Sequence, residues 1–313
     1  MHSLLLRLGL LASLLVPSLC QASYDPLEPI APIKAPFPMP QLQRPAFPER
    51  VVSIVDHGAV PGGTVKNTAA IAATIKAVAD AGGGRVLVPA GRWLTGPVHL
   101  RSNIDLHLAA GAVLVFSDVF ADYLPAVLVR AGGIELYNYS PLLYARNCEN
   151  IAITGPGRLD GNSRAWWPWA KKETREGFAM GAKGVPVEQR IFGTPEAAIR
   201  PSFVTFLECK NVLLEGFTIG SGPNWTIHPV YCENIIIRRV NMITEGPNND
   251  GIDPDSCRNM LIEHCDISTG DDCVVLKSGY DQDGRRVGRP TENVVMRHTT
   301  SRPTGSTLSR LLE

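Results

Sequence analysis

Cys232–Arg239 reads CENIIIRR, and the same template returns as CENIAITG at 148–155, CKNVLLEG at 209–216, CRNMLIEH at 257–264 and TENVVMRH at 291–298. Each copy is Cys or Thr, a polar residue, Asn, and then a short strand-forming run. The Asn positions are 150, 211, 234, 259 and 293, so the central intervals are 23 and 25 residues. That period suits one coil of a parallel β-helix with three short strands per turn. One coil cannot bury its own interior, so neighbours must stack. Asn fits the turn because it tolerates left-handed backbone and its amide can hydrogen-bond up and down a ladder. The longer intervals, 61 and 34 residues, leave room for a long loop or an extra coil.

Upstream, the chain changes character twice. Residues 24–49, YDPLEPIAPIKAPFPMPQLQRPAFPE, carry eight prolines. That excludes helix and predicts an extended arm docked along the body. From Val51 a short strand leads to an Ala-rich helix, TAAIAATIKAVADA, capped by Asn67 or Thr68 and stopped by Gly82-Gly83-Gly84. The helix is expected to cover the open end of the first coil, hiding apolar interior and an unpaired strand edge. Residues 161–200, rich in Trp, Lys and Glu, predict an excursion from the stack, and such insertions often wall a cleft. The fold class expected is therefore all-β, a parallel β-helix solenoid with an N-terminal capping helix.

The first 22 residues read as a secretory signal: His2 and Arg7 flank the apolar run, and Cys20-Gln21-Ala22 offers small residues for cleavage. A lipoprotein reading at Cys20 fits less well, because Pro17 and Leu19 stand where small residues are wanted. No later segment is long enough to span a bilayer. The organisation expected is a signal over 1–22, a Pro-rich arm over 23–49 and a β-helix over 50–313. The mature protein is then exported to the periplasm or the medium. Cys148, Cys209, Cys232 and Cys257 stand at one point of the repeat, which predicts stacked free thiols acting as small hydrophobes, although neighbouring coils come close enough for disulfides.

Across its 313 residues, Lys plus Arg equals Asp plus Glu at 30 each. No charge excess points to nucleic acid or a membrane surface. The chemistry-bearing residues are instead Asp250 in GPNNDGIDPDS and Asp271 and Asp272 in TGDDC. With one coil between them, Asp250 is expected directly under Asp271. Parallel strands lie about 4.8 Å apart, so the carboxylates become neighbours and one pKa must rise. That supplies an acid and a base from one residue type, as glycosidic cleavage requires. The alternative is a set of turn aspartates bonding nearby amides.

The stretch from Asn211 to Thr291, with PNNDGID, TGDDC, VVLKSG, SGPNWTIHPVYCENI and DGRRVGRPTENV, resembles the polygalacturonases of glycoside hydrolase family 28. HGAVPGG through PAGRWLTGPVHLRSN is similar to that family's opening coils and cap helix. The resemblance implies a right-handed, pectin-lyase-like β-helix that hydrolyses α-1,4-galacturonosidic bonds of pectin or oligogalacturonides with inversion. It calls for no cofactor and no metal, and a monomer is expected. By this resemblance Asp271 is the general acid, and Asp250, in the motif Asn248-Asn249-Asp250, activates water together with Asp272. A one-coil spacing near 5 Å would by itself suggest retention. Asn248, Asp253, Lys277, His228 and Trp225 are candidate substrate contacts: Lys277 for a galacturonate carboxylate, Trp225 for a pyranose face. Bracing, solvated and half-buried roles remain open for them.

The family pattern also includes a Gly-His-Gly and, further on, an Arg-x-Lys, neither of which occurs here; His298 lies within a strand instead. The expectation is a chain short of its C-terminal coils and weakly active. Two rivals share the fold. A calcium-dependent pectate lyase would use the carboxylates as ligands and an Arg as base, and a non-catalytic polysaccharide-binding β-helix would not need the aspartates.

Overall fold

The computed structural model describes residues 28–171, 175–197 and 199–303; the predicted signal over 1–22 lies outside them. Among the described residues the chain winds into three parallel sheets. One face holds eight strands, from Val51–Ser53 and Gly84–Val88 through Glu149–Thr154, Lys210–Glu215, Glu233–Arg238 and Arg258–Glu263 to Glu292–Arg297. A second face holds seven strands, from Gly91–Thr95 to Thr300–Pro303. The third holds Val98–His99, Leu143–Arg146, Val204–Leu207 and Ile227–Val230, and single parallel bridges at residues 252, 255, 274 and 277 carry it onward.

The repeat template explains the stacking. Asn150, Asn211, Asn234, Asn259 and Asn293 all adopt positive φ, between 52° and 59°. Each amide donates to the Asn of the coil before it, at 3.0, 3.0, 3.1, 3.2 and 3.0 Å, beginning with Asn150 to Asn103. The strand after each Asn alternates. Ile151, Val212, Ile235 and Met260 point into the solenoid core, while Ala152, Leu213, Ile236 and Leu261 line the outside. The cysteines behave as expected: all six described are free, and Cys148, Cys209, Cys232, Cys257 and Cys265 are buried.

Helix α1, Thr68–Asp80, buries Ile71, Ile75 and Val78 against Val86 and Ile104 in the first coils. It is the predicted cap. Asn67 stands at its N-cap position, but its side chain bonds the loop at Val60 rather than the helix. The Pro-rich arm does dock: Ile33 and Leu42 are buried on the Ala152, Leu213, Ile236 and Leu261 stripe. Its Arg44 grips Glu215 with two bonds of 2.8 Å.

Two excursions rise over the third face. Val127–Ala131 and Ile134–Asn138 form an antiparallel hairpin, joined by Ile191–Phe192. The 161–200 segment carries the 3-10 turn Ser163–Lys171 and helix α2, Arg175–Ala182. A third helix, α3, Asp281–Val287, was not foreseen; it ends on left-handed Gly288 and packs near α2 and the hairpin.

Candidate active site

The third face carries the aspartates. Ile252 bridges Ile227 on one side and Val274 on the other, and Asp255 likewise bridges Val230 and Lys277. Counting back two residues from the Ile252–Val274 bridge, Asp250 is level with Asp272, and the N–H of Gly251 donates to the Asp272 carbonyl at 2.9 Å. This corrects the expected pairing with Asp271, because the turn at Thr269–Asp272 sets a register of 22 residues rather than 21. Asp271 is half-buried, one residue earlier on the turn, where its carboxylate caps the Asp272 N–H at 3.0 Å; Asp272 is exposed.

Asp250 is 5% exposed. Burial pushes its carboxyl up to about 6, Lys277 pulls it back, and the Asp271 charge pushes in the same direction as burial. The neighbouring Asp253 is fully buried, and burial together with the Asp250 charge holds its carboxyl well above the usual range. The ammonium of Lys277 lies 3.2 Å from Asp253 Oδ1 and 3.6 Å from Asp250 Oδ2. It sits over the Trp225 ring, 4.0 Å from the centroid. Trp225 is half-buried on the cleft floor and meets His228 edge-on at 4.9 Å.

The other candidates divide. His228, expected in the cleft, is instead buried beneath it at 1% exposure. Its Nε2 lies 3.7 Å from Asp255 Oδ2, and desolvation lowers its pKa, so the ring is neutral. Strand alternation turns His228 outward, level with Asp253, since Ile227 and Ile252 face the core; the ring is buried because it sits beside Asp255, which the hairpin's Arg130 covers. Asn248 is exposed with φ 54°, and its Oδ1 accepts from Arg200 Nη2 at 2.7 Å. Its neighbour Asn249 is the buried member of the motif, donating to the Gly222 and Asn224 carbonyls and accepting from the Gly246 N–H.

Arg200 and Arg130 escaped the sequence reading because both come from excursions. Arg200 ends the 161–200 segment and bonds the carbonyls of Pro223 and Pro247, tying together the turns that precede Trp225 and Asp250. Burial lowers its pKa to about 10, and the nearby Asp250 opposes that fall. Arg130, in the hairpin, pairs with Asp255 at 2.8 Å, both side chains fully buried. Burial alone would raise Asp255, but His228, Arg130 and the Gly279 N–H outweigh it and hold the carboxyl below its usual range. Arg130, Tyr139, Arg200, Thr205 and Trp225 line a cleft between hairpin, insertion and coil.

The arrangement can hold a proton and give one up. A buried carboxyl titrating near neutrality faces a second acid on the next coil, and an aromatic floor lies beside them.

Comparison with known proteins gives the chain's relatives. The description of glycosyl hydrolases family 28 matches residues 189–300. A probable polygalacturonase from Vitis vinifera is 33% identical over 259 residues, 79% of this chain and 48% of that protein. An exo-poly-alpha-D-galacturonosidase from Dickeya chrysanthemi is 29% identical over 78% of this chain and 44% of its own length. The crystal structure of a hyperthermoactive exopolygalacturonase from Thermotoga maritima superposes with a TM-score of 0.81 at 46% identity, covering 83% of this chain and 62% of that one. The chain thus spans about half the length of the curated relatives it matches. Over residues 189–300 it matches glycosyl hydrolases family 28, and its fold is the right-handed parallel β-helix of these relatives.

Proposed function

We propose that this chain hydrolyses α-1,4-galacturonosidic bonds of polygalacturonate by acid–base catalysis. The observation that carries the reading is Asp250: a buried carboxyl raised to about 6, facing Asp271 on the next coil. A base is most effective when its pKa lies near the working pH. Asp250, with Asp272 level beside it, activates water, and Asp271 protonates the leaving oxygen. Trp225 offers a ring for a pyranose to rest on, and Asn248 reaches the exposed rim. Product anomers followed by NMR at early times decide inversion against retention.

Exo action is the form supported best. The relatives from Dickeya chrysanthemi and Thermotoga maritima are named for it, and the hairpin and the 161–200 segment wall the cleft beside Trp225. An exo enzyme releases reducing ends with little fall in viscosity; a steep fall at low conversion marks endo action. The lyase reading predicts ultraviolet-absorbing unsaturated products that vanish with chelator, whereas hydrolysis gives neither. A binding-only solenoid would retain its function in Asp271→Asn.

Export rests on residues 1–22 alone. No helix among the described residues is long and apolar enough to cross a membrane. The pectic polysaccharide of plant cell walls is the substrate this reading implies, met by a monomer with no metal or cofactor; light scattering tests the oligomeric state.

A further inference from the structure

We propose that Lys277 is a positioning residue rather than a substrate anchor: its ammonium bridges the Asp250 and Asp253 carboxyls and, seated on Trp225, keeps the pair at one negative charge with Asp250 as the oxygen that faces the cleft. This rests on the reading of Asp250 as the water-activating group.

The first support is how firmly Lys277 is held. Its N–H donates to the Pro254 carbonyl at 2.9 Å, while its carbonyl accepts from the Ser256 N–H at 2.9 Å and from Thr291 Oγ1 at 2.6 Å. The parallel bridge to Asp255 fixes its level in the stack. The head group is then committed to two carboxylates and one ring, with the side chain only 19% exposed. An ammonium already paired twice and seated on an indole face has little left for a third anion.

The second support is the accounting around Asp253. Apart from the Lys277 ammonium near Oδ1, neither of its buried carboxylate oxygens has a donor from the protein, a costly state for an ionised group. Asp250 and Asp253 lie within hydrogen-bonding reach of each other. Two carboxylates cannot bond each other, but a carboxylic acid and a carboxylate can. One shared proton therefore satisfies Asp253 and leaves a single negative charge for Lys277 to balance. Asp253 is the deeper partner, so the proton belongs there and the charge at Asp250.

Other charges facing the pair do not replace this cation. Asp271 repels Asp250 from the next coil. Arg200, from the insertion, is spent on Pro223, Pro247 and Asn248. Arg130, from the hairpin, belongs to Asp255. His228, on the coil before, is neutral.

The test is Lys277→Met against Lys277→Arg in the full chain, read two ways. An opposite charge this close holds a carboxyl down by about one pH unit or more. In Lys277→Met the acid limb of kcat should therefore move to higher pH by at least that amount, while Lys277→Arg keeps it near the wild-type position. A substrate anchor would instead raise KM and leave the limb in place, which would overturn the proposal. Carbon-13 NMR of aspartate-labelled protein, with the Asp250 signal identified by Asp250→Asn, reads the same midpoint without turnover. If no form hydrolyses substrate but the midpoint rises in Lys277→Met, the hydrolase reading fails and the positioning role stands. An unmoved midpoint refutes it. Should Lys277→Met not fold, Asp253→Asn decides: the amide keeps a neutral donor where the shared proton sat, so the Asp250 midpoint should stay near its wild-type position, and a clear fall, the sign of a like charge removed, overturns the shared proton, as does a clear rise.

Discussion

Two regions of this molecule bury several charges each, and they do so by opposite rules. On the outer side of the eight-stranded sheet, Glu215, Arg238, Glu263 and Arg297 stand level on four successive strands. Their signs alternate. Arg238 Nε is 3.1 Å from Glu263 and 3.6 Å from Glu215, and Arg297 bonds Glu263 at 2.8 Å. The arm completes the row from outside: Arg44 holds Glu215, and Glu28 meets Arg238 and Arg239. On the third face, Asp250, Asp253, Asp271 and Asp272 gather like charges around Lys277. The first set is balanced, each buried glutamate standing between cations. The second is unbalanced, and Asp250 is left titrating near neutrality. Balanced burial fixes register; unbalanced burial stores a proton where chemistry needs it.

Substitutions can break this contrast. The largest effect expected is on the unbalanced side. Asp250→Asn or Asp271→Asn should lower the rate of galacturonate release from oligogalacturonides by about 10²- to 10⁴-fold, with circular dichroism unchanged. On the balanced side the expected loss is of stability. Arg238→Met leaves two buried glutamates with one cation each, Arg44 for Glu215 and Arg297 for Glu263, and should cost about 1–3 kcal/mol in denaturant unfolding. Adding Glu215→Gln and Glu263→Gln should return much of that, since breaking such a set costs more than replacing it whole.

A third, uncharged ladder offers an intermediate case. Asn234→Ala removes one amide bond given to Asn211 and one received from Asn259, and it leaves Ala at φ 57°. About 2 kcal/mol of destabilisation is expected, from two modest hydrogen bonds and a strained backbone.

The smallest effect sharpens the comparison through its sign. Asp250 has a folded pKa of about 6 against an ordinary 3.8. The folded state therefore binds more protons than the unfolded one between those values, and stability falls as pH rises through that window. Asp250→Asn should remove part of that fall, stabilising the protein by about 1–2 kcal/mol at pH 7 and by little below pH 4. Thermal melts across pH check this. A variant destabilised at pH 7 would mean that the carboxylate is a bracing group after all.

The repeat could be read locally because each coil restates one code. Asn234 has the same neighbours as Asn211, so its left-handed turn and its ladder follow from spacing. The capping helix and the docked arm were legible for a related reason: an Ala-rich run closed by glycines, and a proline-rich run, each admit few conformations. The aspartates were legible as a group and misread in detail. An interval of 21 residues from Asp250 to Asp271 looks like one coil, yet the turn at Thr269–Asp272 makes Asp272 the level partner. His228 shows the same limit. Its strand turns it outward, but whether an outward residue meets the cleft or is covered depends on what a distant excursion, here the hairpin with Arg130, packs beside it.

By itself, then, the sequence determined that the chain coils, that Asn ladders align the coils, and that acids cluster on neighbouring coils. Those are properties of short segments repeated at fixed intervals. Which acid lies level with which, where Lys277 spends its charge, and how Arg200 and Arg130 reach the site from distant excursions were decided only in three dimensions. Burial and electrostatic partners depend on every element packed against a group, and no local pattern of residues encodes that sum.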